Sequence, residues 1–201
     1  RSPFSGGKRV LVDGLLTTGQ CKAIARIFFA AGIIIGLLIV ALRDSRVLLF
    51  GLAGVTLAWY YHGGTVRLAY RGLGEIAVAL AYGPLVVCGT YLVQTGHFSA
   101  PLIFASFSLG LLVAAFLWIN EFPDYVADLA AGKRNLVVRL GRDTSVTVYL
   151  LIVAAAYLLL IVAVISLEGA EGMLWGLLGI APATFAAVRL RAAPADTSRI
   201  I

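Results

Sequence analysis

Two aspartates four residues apart, Asp124 and Asp128, are the side chains in this sequence best suited to hold a divalent cation. On a helix this spacing puts both carboxylates on one face, with Cβ atoms about 6 Å apart. Asn120 would extend that face by one turn. Mg²⁺ prefers oxygen ligands and is commonly held by one or two carboxylates together with substrate phosphate oxygens. The spacing therefore predicts a magnesium site that is shared with a phosphorylated ligand.

The aspartates belong to a charged segment, NEFPDYVADLAAGKRNLVVRLGR, which runs over residues 120–142. Lys133 and Arg134 follow the aspartates and could bind the phosphate oxygens that the metal leaves free. Pro123 suits the first turn of a helix and disfavours helical geometry at Phe122. We therefore expect a break there and a short new helix over 123–131, ended by Gly132. The alternative is a solvated helix whose charges pair with each other and with lipid head groups.

A second polar segment, YYHGGTVRLAYRGLGE, covers residues 60–75. Arg67, Tyr70 and Arg71 lie at helical spacing and could present two guanidinium groups to a bound anion. Glu75 either lies favourably at a helix N-terminus or pairs with one of those arginines. This segment is the second place where polar chemistry is expected.

The remainder of the chain is apolar enough to lie in lipid. Hydrophobic residues make up 61% of the sequence, charged residues 13%, and the mean hydropathy is +0.97, which lies outside the range of soluble domains. A helix needs roughly 20 apolar residues to cross a bilayer. We therefore predict an all-α, multi-spanning transmembrane helix bundle. The six predicted spans are 23–42, 47–61, 73–94, 100–119, 145–167 and 172–190.

The basic residues predict the orientation of this bundle. If the six spans alternate, fourteen of the sixteen Lys and Arg residues fall on the side that carries both polar segments, and only Arg43 and Arg46 fall on the other. Such a bias marks the cytoplasmic side. The net charge of +6 thus needs no nucleic acid partner. The two cysteines, without CxxC spacing, indicate neither a disulfide framework nor a zinc site.

In order and spacing, these segments resemble the UbiA superfamily of intramembrane prenyltransferases. The stretch NEFPDYVADLAAGKRNLVVRLG is similar to that family's second aspartate-rich motif, which is DxxxDxxxG followed by a basic residue and a VRLG ending. The stretch LAYRGLGEI, with GPLVVCGTY downstream, resembles the dihydroxynaphthoate polyprenyltransferase (MenA-type) branch, which makes menaquinone precursors.

The resemblance implies a helix bundle with a large cavity near the cytoplasmic face of the cell membrane. Two aspartate-rich motifs there hold Mg²⁺ on a prenyl diphosphate, whose ionisation gives an allylic cation that an aromatic acceptor attacks. The resemblance implies that Asp124 and Asp128 are metal ligands and that Asn120 is a supporting polar group. The residues that it places on the diphosphate are Lys133 and Arg71, with Arg67, Tyr70, Arg134 and Arg139 as further contacts.

The family's first aspartate-rich motif, of the NxxxDxxxD kind, would lie upstream of a stretch such as SPFSGGKRVLVDGLLT, which here begins at residue 2. We therefore expect residues 1–201 to be a single but partial transmembrane prenyltransferase domain, with about six spans present of an expected nine. We expect this stretch alone to be inactive, because half of the metal site is missing from it.

Two alternatives remain open at this point. Another enzyme of the superfamily, with a homogentisate, hydroxybenzoate, haem or glycerol phosphate acceptor, would need only a different acceptor pocket, and the residues fix neither the prenyl length nor the oligomeric state. A small transporter is the alternative from another class. Transporters place binding residues near the bilayer midplane on broken helices, whereas the ionisable residues here lie at span ends.

Overall fold

A computed structural model describes residues 10–11 and 13–192 of the chain. The predicted cations Arg1, Lys8, Arg9 and Arg199 and most of the segment 2–17 lie outside these residues. The described part is helical and contains no strand. Its helices are α1 (Thr18–Leu42), α2 (Val47–His62), α3 (Gly74–Leu80), α4 (Val86–Thr95), α5 (Ala100–Ala130), α6 (Leu136–Leu140), α7 (Arg142–Ser166) and α8 (Ile180–Ala192). The 3-10 segments Leu68–Tyr70 and Glu171–Gly179 and the π-helical turn Ala81–Leu85 complete the path.

The helical stretches confirm the predicted membrane bundle. In the described part, five of them are long and apolar enough to cross a membrane: Thr18–Leu42, Gly74–Thr95, Ala100–Ala130, Arg142–Ser166 and Glu171–Ala192. The remaining predicted span, 47–61, corresponds to α2. Its 16 residues cover about 24 Å at the usual helical rise. The third span is continuous from α3 to α4 through the π-helical turn that contains Pro84, where the wider turn accommodates the missing N–H of proline.

The predicted helix break before Pro123 is wrong. Helix α5 runs without interruption from Ala100 to Ala130 and carries Pro123 inside it. Two fully buried side chains on the turns before the proline, Trp118 and Phe122, pack into the core. The Trp118 indole N–H also donates to the carbonyl oxygen of Ser145 over 3.0 Å. This packing against α7 keeps the helix continuous through a position where the local preference of the backbone favours a break.

The core of the bundle lies between α5, α7 and α8. Large side chains from all three helices meet there, and the hydrophobic cluster of buried residues comprises Ala115, Trp118, Phe122, Val137, Val146, Tyr149, Val153, Tyr157, Leu160, Ala187 and Leu190. Val137 comes from the short helix α6 and is fully buried. The segment after α5 is therefore part of the core and is fixed at the end of the bundle.

The connections between helices meet at two opposite ends, as alternation of the spans requires. At one end, Arg46 between α1 and α2 donates through Nη2 to the carbonyl oxygen of Gly96 over 2.7 Å. At the other end, the Arg134 N–H donates to the carbonyl oxygen of Tyr70 over 3.2 Å. The two polar segments of the sequence therefore lie together.

Two glycines, Gly83 and Gly110, allow a close crossing between the third span and α5. A Cβ atom on Gly110 would overlap the backbone oxygen of Ala79, and one on Gly83 would lie 2.9 Å from the Cα atom of Gly110. Small residues allow helices in lipid to approach this closely, and dispersion contacts then hold them together. This crossing fixes the third span against α5 and so positions Glu75, at the head of that span, next to the charged end of α5.

We expect Gly110→Ala to lower the free energy of unfolding by about 1–3 kcal/mol, because the added methyl group meets backbone atoms that cannot move aside. Denaturation in mixed detergent micelles, followed by circular dichroism, measures the effect. Gly51→Ala is the matched control, since a Cβ atom at that position meets nothing within 4 Å. An equal stability of the two variants would contradict this account of the crossing.

Candidate metal and anion site

The carboxylate of Asp128 is held from one side by two donors. Its Oδ2 atom accepts hydrogen bonds from Lys133 Nζ over 2.7 Å and from Asn135 Nδ2 over 2.9 Å. Both groups are partly buried, so the ion pair is less screened than a surface pair. Since both bonds go to Oδ2, the Oδ1 atom keeps its lone pairs for another partner.

The end of helix α5 brings these donors back to Asp128. The Lys133 N–H donates to the carbonyl oxygen of Asp128 over 2.8 Å, and the Gly132 N–H donates to that of Leu129 over 3.1 Å. Gly132 has a φ of +69°. These are the two bonds and the left-handed glycine of a Schellman motif. The prediction that Gly132 ends the helix is confirmed, and the reversal explains how residues five and seven positions later contact the aspartate.

Asn135 joins helix α5 to the next element. Its side chain is 1% exposed. The Nδ2 group donates to Asp128, while the Oδ1 atom accepts the N–H of Val138 over 2.8 Å and caps helix α6. The sequence analysis missed Asn135, although an asparagine directly before the apolar run LVV is a recognisable N-cap signal.

Asp124 lies one turn before Asp128 on the same helix, as predicted. It is half-buried and makes no hydrogen bond or ion pair with the residues that the structure describes. Asn120 is exposed, and its Nδ2 group donates to the carbonyl oxygen of Phe116 in its own helix. Its amide oxygen is the atom that remains for a ligand.

The donor set of Asp124 and Asp128 fits Mg²⁺. Within residues 10–11 and 13–192, no group of three or more His, Cys, Asp or Glu side chains could hold a metal. Asp124 and Asp128 supply two carboxylates, and Asp128 has one oxygen already occupied by hydrogen bonds. Mg²⁺ is commonly held by one or two carboxylates and completed by water and phosphate oxygens, so this pair suits a cation that arrives with a phosphorylated ligand.

The segments 63–73 and 131–141 pack against each other beside the aspartates. Arg139 donates through Nε to the carbonyl oxygen of Arg134 over 2.8 Å. A Cβ atom on Gly72 would lie 2.9 Å from Arg139 Cδ, so a larger residue there would require the arginine side chain to shift, and Gly72 also has a φ of +72°, which favours glycine. Arg139, predicted as an anion contact, therefore also braces the two segments.

Arg67, Tyr70 and Arg71 are arranged differently from the predicted helical row. Only Leu68–Tyr70 is helical, as one 3-10 turn, and Arg67 has a φ of +46°. The Arg67 guanidinium stacks on the Tyr70 ring at 3.7 Å, and Arg71 Nη2 donates to the carbonyl oxygen of Thr65 over 3.0 Å. A tight turn between glycines, stabilised by stacking, replaces the helix. Both arginines are exposed at the rim.

Two buried glutamates extend the polar region into the bundle. Glu75 is 3% exposed and Glu121 is 5% exposed. Glu75 lies in the first turn of α3, and its Oε1 atom accepts the N–H of Leu136 over 2.6 Å. Of the two alternatives for Glu75, the helix N-terminus is thus the observed one. The two carboxyl groups interact with each other, and Glu121 also lies within electrostatic range of Lys133 and Asp128.

The structure thus divides the predicted site residues into two sets. Asp124, Asp128 and Lys133 lie together at the end of α5, and Asn120 lies one turn before Asp124 on the same helix. The second set, Arg67, Tyr70, Arg71, Arg134 and Arg139, forms the two packed segments beside them. The residues that the sequence analysis did not assign to the site are Asn135 and the glutamates, because their roles come from contacts between distant elements.

We expect Asn135→Leu to lower the free energy of unfolding by about 2–4 kcal/mol, because the change removes both a helix cap and a hydrogen bond to a charged group. Asn135→Ser should lose less, since serine keeps the cap but is too short to reach Asp128. Detergent denaturation of both variants measures the difference. A loss below about 0.5 kcal/mol for the leucine variant, the level of an ordinary surface change, would contradict the bridging role.

Comparison with known proteins gives a consistent result. Residues 7–200 match the UbiA prenyltransferase family. The chain is 34% identical over 144 residues to a 2-carboxy-1,4-naphthoquinone phytyltransferase of Synechocystis, covering 71% of this chain and 47% of that protein. It is 30% identical over 155 residues to UbiA prenyltransferase domain-containing protein 1 of Danio rerio, covering 75% and 46%.

A 1,4-dihydroxy-2-naphthoate octaprenyltransferase of Mycobacterium tuberculosis is 29% identical over 188 residues, which covers 94% of this chain and 61% of that protein. The chain thus spans between 46% and 61% of the length of these three relatives. No solved structure gives a significant match. The family match covers nearly the whole chain and includes both polar segments, 60–75 and 120–142. The chain therefore belongs to the UbiA prenyltransferase family.

Proposed function

We propose that this chain is part of an enzyme that transfers a polyprenyl group from a prenyl diphosphate to an aromatic acceptor, most consistent with dihydroxynaphthoate in menaquinone biosynthesis. The observation that carries the proposal is the half-buried pair Asp124 and Asp128, with Lys133 on one oxygen of Asp128. The acceptor is supported by two of the relatives, which are a 1,4-dihydroxy-2-naphthoate octaprenyltransferase and a 2-carboxy-1,4-naphthoquinone phytyltransferase.

In this proposal, Asp124 and Asp128 would hold Mg²⁺, which would supply positive charge to stabilise a departing diphosphate. Lys133 is held beside Asp128 and can bind a diphosphate oxygen while keeping that carboxylate in place. The Arg71 and Arg67 guanidinium groups at the rim bind the outer oxygens of the leaving diphosphate. Asn120 contributes its amide oxygen on the same helix face.

The prenyl chain needs an apolar channel that starts beside this charged end. A cavity of ≈ 770 Å³ lies between α2 and the α3–α4 span, within the usual range for a ligand pocket. Its lining residues are Phe50, Gly54, Leu57, Ala58, Tyr61, Ala77, Val78, Ala81, Tyr82, Leu85 and Val86. Tyr61, at one end of this lining, lies within electrostatic range of Glu121 and Glu75. Tyr82 and Val86, which line the cavity, are 57% and 54% exposed, so the cavity is open on that side. Its walls are apolar and suit the hydrocarbon chain of a prenyl diphosphate.

We further propose that residues 1–201 are one partial domain and that further carboxylates of the whole protein complete the metal site. Two observations support this. The described residues supply no group of three acidic ligands, and two of the relatives named above are about twice as long as the part they share with this chain.

We expect Asp128→Asn and Asp124→Asn, made in the full-length protein, each to reduce prenyl transfer at least about 100-fold, because each removes a ligand that stabilises the departing diphosphate. The measurement is transfer of a labelled prenyl diphosphate to dihydroxynaphthoate in detergent with added Mg²⁺. Asp143→Asn is the matched control, since Asp143 is exposed in the first turn of α7.

Undiminished transfer in both aspartate variants would reject the proposed metal site. Comparison of dihydroxynaphthoate with homogentisate and hydroxybenzoate in the same assay identifies the acceptor, since the acceptors differ only in the ring that attacks. Transfer to another ring, with none to the naphthoate, would reject the proposed acceptor and leave the reaction class standing.

The proposal places the protein in the cell membrane with the site on the cytoplasmic side, supported by the fourteen of sixteen basic residues on that side of the alternating spans. In full-length protein in which Cys21 and Cys88 are replaced by serine, we expect a membrane-impermeant thiol reagent added to intact cells to label Glu168→Cys and to spare Ala131→Cys. Both positions are exposed, at opposite ends of the bundle. The reverse pattern would overturn the proposed orientation.

A further inference from the structure

The cavity beside the charged end runs along helix α2. Tyr61 and Phe50 both line it and are eleven residues apart on that helix, which corresponds to about 16 Å along the axis. Tyr61 lies at the charged end, near Glu75 and Glu121. Phe50 therefore marks the end of the cavity that is farthest from the aspartates.

The ring of Phe50 is packed from behind by aromatic and backbone atoms. It stacks on Phe98 with the ring centres 6.1 Å apart and an angle of 28° between planes. On α4, a Cβ atom at Gly89 would lie 3.3 Å from Phe50 Cδ1, so the ring lies directly against the helix at this glycine. A ring that is packed on these sides has little room to turn away from a ligand that presses on it.

The Phe98 ring is in turn covered by the charged side chain of Arg46. The Arg46 guanidinium lies over the Phe98 ring, 5.2 Å from its centre. Arg46 also forms an ion pair with Asp44 at 2.6 Å and donates to the carbonyl oxygen of Gly96 over 2.7 Å. The hydrogen bond from Arg46 lowers the pKa of the Asp44 carboxyl, which keeps the pair charged near neutral pH. The loops at this end thus support the two stacked rings.

Gly54 lies one helical turn from Phe50 toward the charged end and also lines the cavity. A Cβ atom on Gly54 meets nothing within 4 Å. The cavity therefore has room for a larger side chain at Gly54, one helical turn before Phe50.

We propose that Phe50 is the end wall of the prenyl site and sets the longest prenyl chain that the enzyme transfers. The inference rests on the proposed function, because it takes the apolar chain of a prenyl diphosphate as the occupant of the cavity. The diphosphate is held at the aspartates, so the prenyl chain begins at a fixed point and extends toward Phe50. An extra isoprene unit must then displace a ring that Phe98 and the α4 backbone hold in place.

The test uses the full-length protein and a series of prenyl diphosphates of increasing length. Phe50→Ala should raise the rate for a diphosphate one isoprene unit longer than the wild-type optimum, relative to the rate at that optimum, by at least about tenfold, because even one methylene group changes discrimination by that order. Leu49→Ala is the matched control, since Leu49 is 68% exposed on the outer side of the same helix and should leave the length profile unchanged.

Gly54→Leu tests the same wall from the other direction and does not depend on the Phe50 variant folding. Leucine fills open space in front of Phe50 and is a better helix former than glycine, so the preferred chain should become shorter by one or more isoprene units. Gly51→Leu is the matched control, because a side chain there also meets open space but Gly51 does not line the cavity.

The outcomes separate the two proposals. Absence of transfer by the wild-type protein with every diphosphate and acceptor would reject the proposed function itself. If the protein transfers prenyl groups but neither Phe50→Ala nor Gly54→Leu changes the preferred prenyl length, the end-wall role of Phe50 is rejected and the proposed function stands. A longer limit in the first variant and a shorter one in the second, with both controls unchanged, is the expected result.

Discussion

The two-sided hydrogen bonding of Asn135 is the interaction on which the rest of the charged end depends. One end of this buried amide holds Asp128, and the other caps helix α6. A buried amide without partners would cost a few kcal/mol, so the contacts favour a single arrangement of both elements. Because Val137 on α6 is fully buried in the core, the position of the aspartate is connected to the packing of the whole bundle.

Much of the charge at the edge of this lipid-embedded bundle is paired or bound to backbone, whereas Asp124 and the Oε2 atom of Glu121 have no hydrogen-bond partner among the described residues. Lys133 binds Asp128, Glu75 accepts a backbone N–H, and Arg139 donates to a carbonyl oxygen. These contacts lower the cost of keeping ionisable groups near hydrocarbon. These contacts also connect segments that are distant in sequence. The side chains that would bind a charged ligand therefore also help to hold the end of the bundle together.

Composition and local signals predicted the elements of this fold well. The apolar runs identified the spans because a membrane helix must shield its own backbone over a fixed thickness, and Gly132 indicated the end of α5 because a left-handed residue is needed there. The break predicted at Pro123 does not occur, because the contacts of Trp118 and Phe122 with the core outweigh the local preference of proline. The roles of Asn135 and Glu75 were hidden because the partners of each are set by packing between elements, which no local pattern encodes.

The shortness of α2 has a physical consequence for the opposite end of the molecule. Its 16 residues span less than the roughly 30 Å of a typical hydrocarbon core, so residues next to its start must reach the interface. Arg46 is suited to this, because a long side chain can extend its charge to the head groups while its stem stays in apolar surroundings. In doing so it bonds to Asp44 and to the Gly96 carbonyl and covers Phe98. The short span therefore gives α2 one end close to the charged site and the other close to a supported aromatic pair, which is the arrangement that a site for a long apolar ligand with a charged head requires.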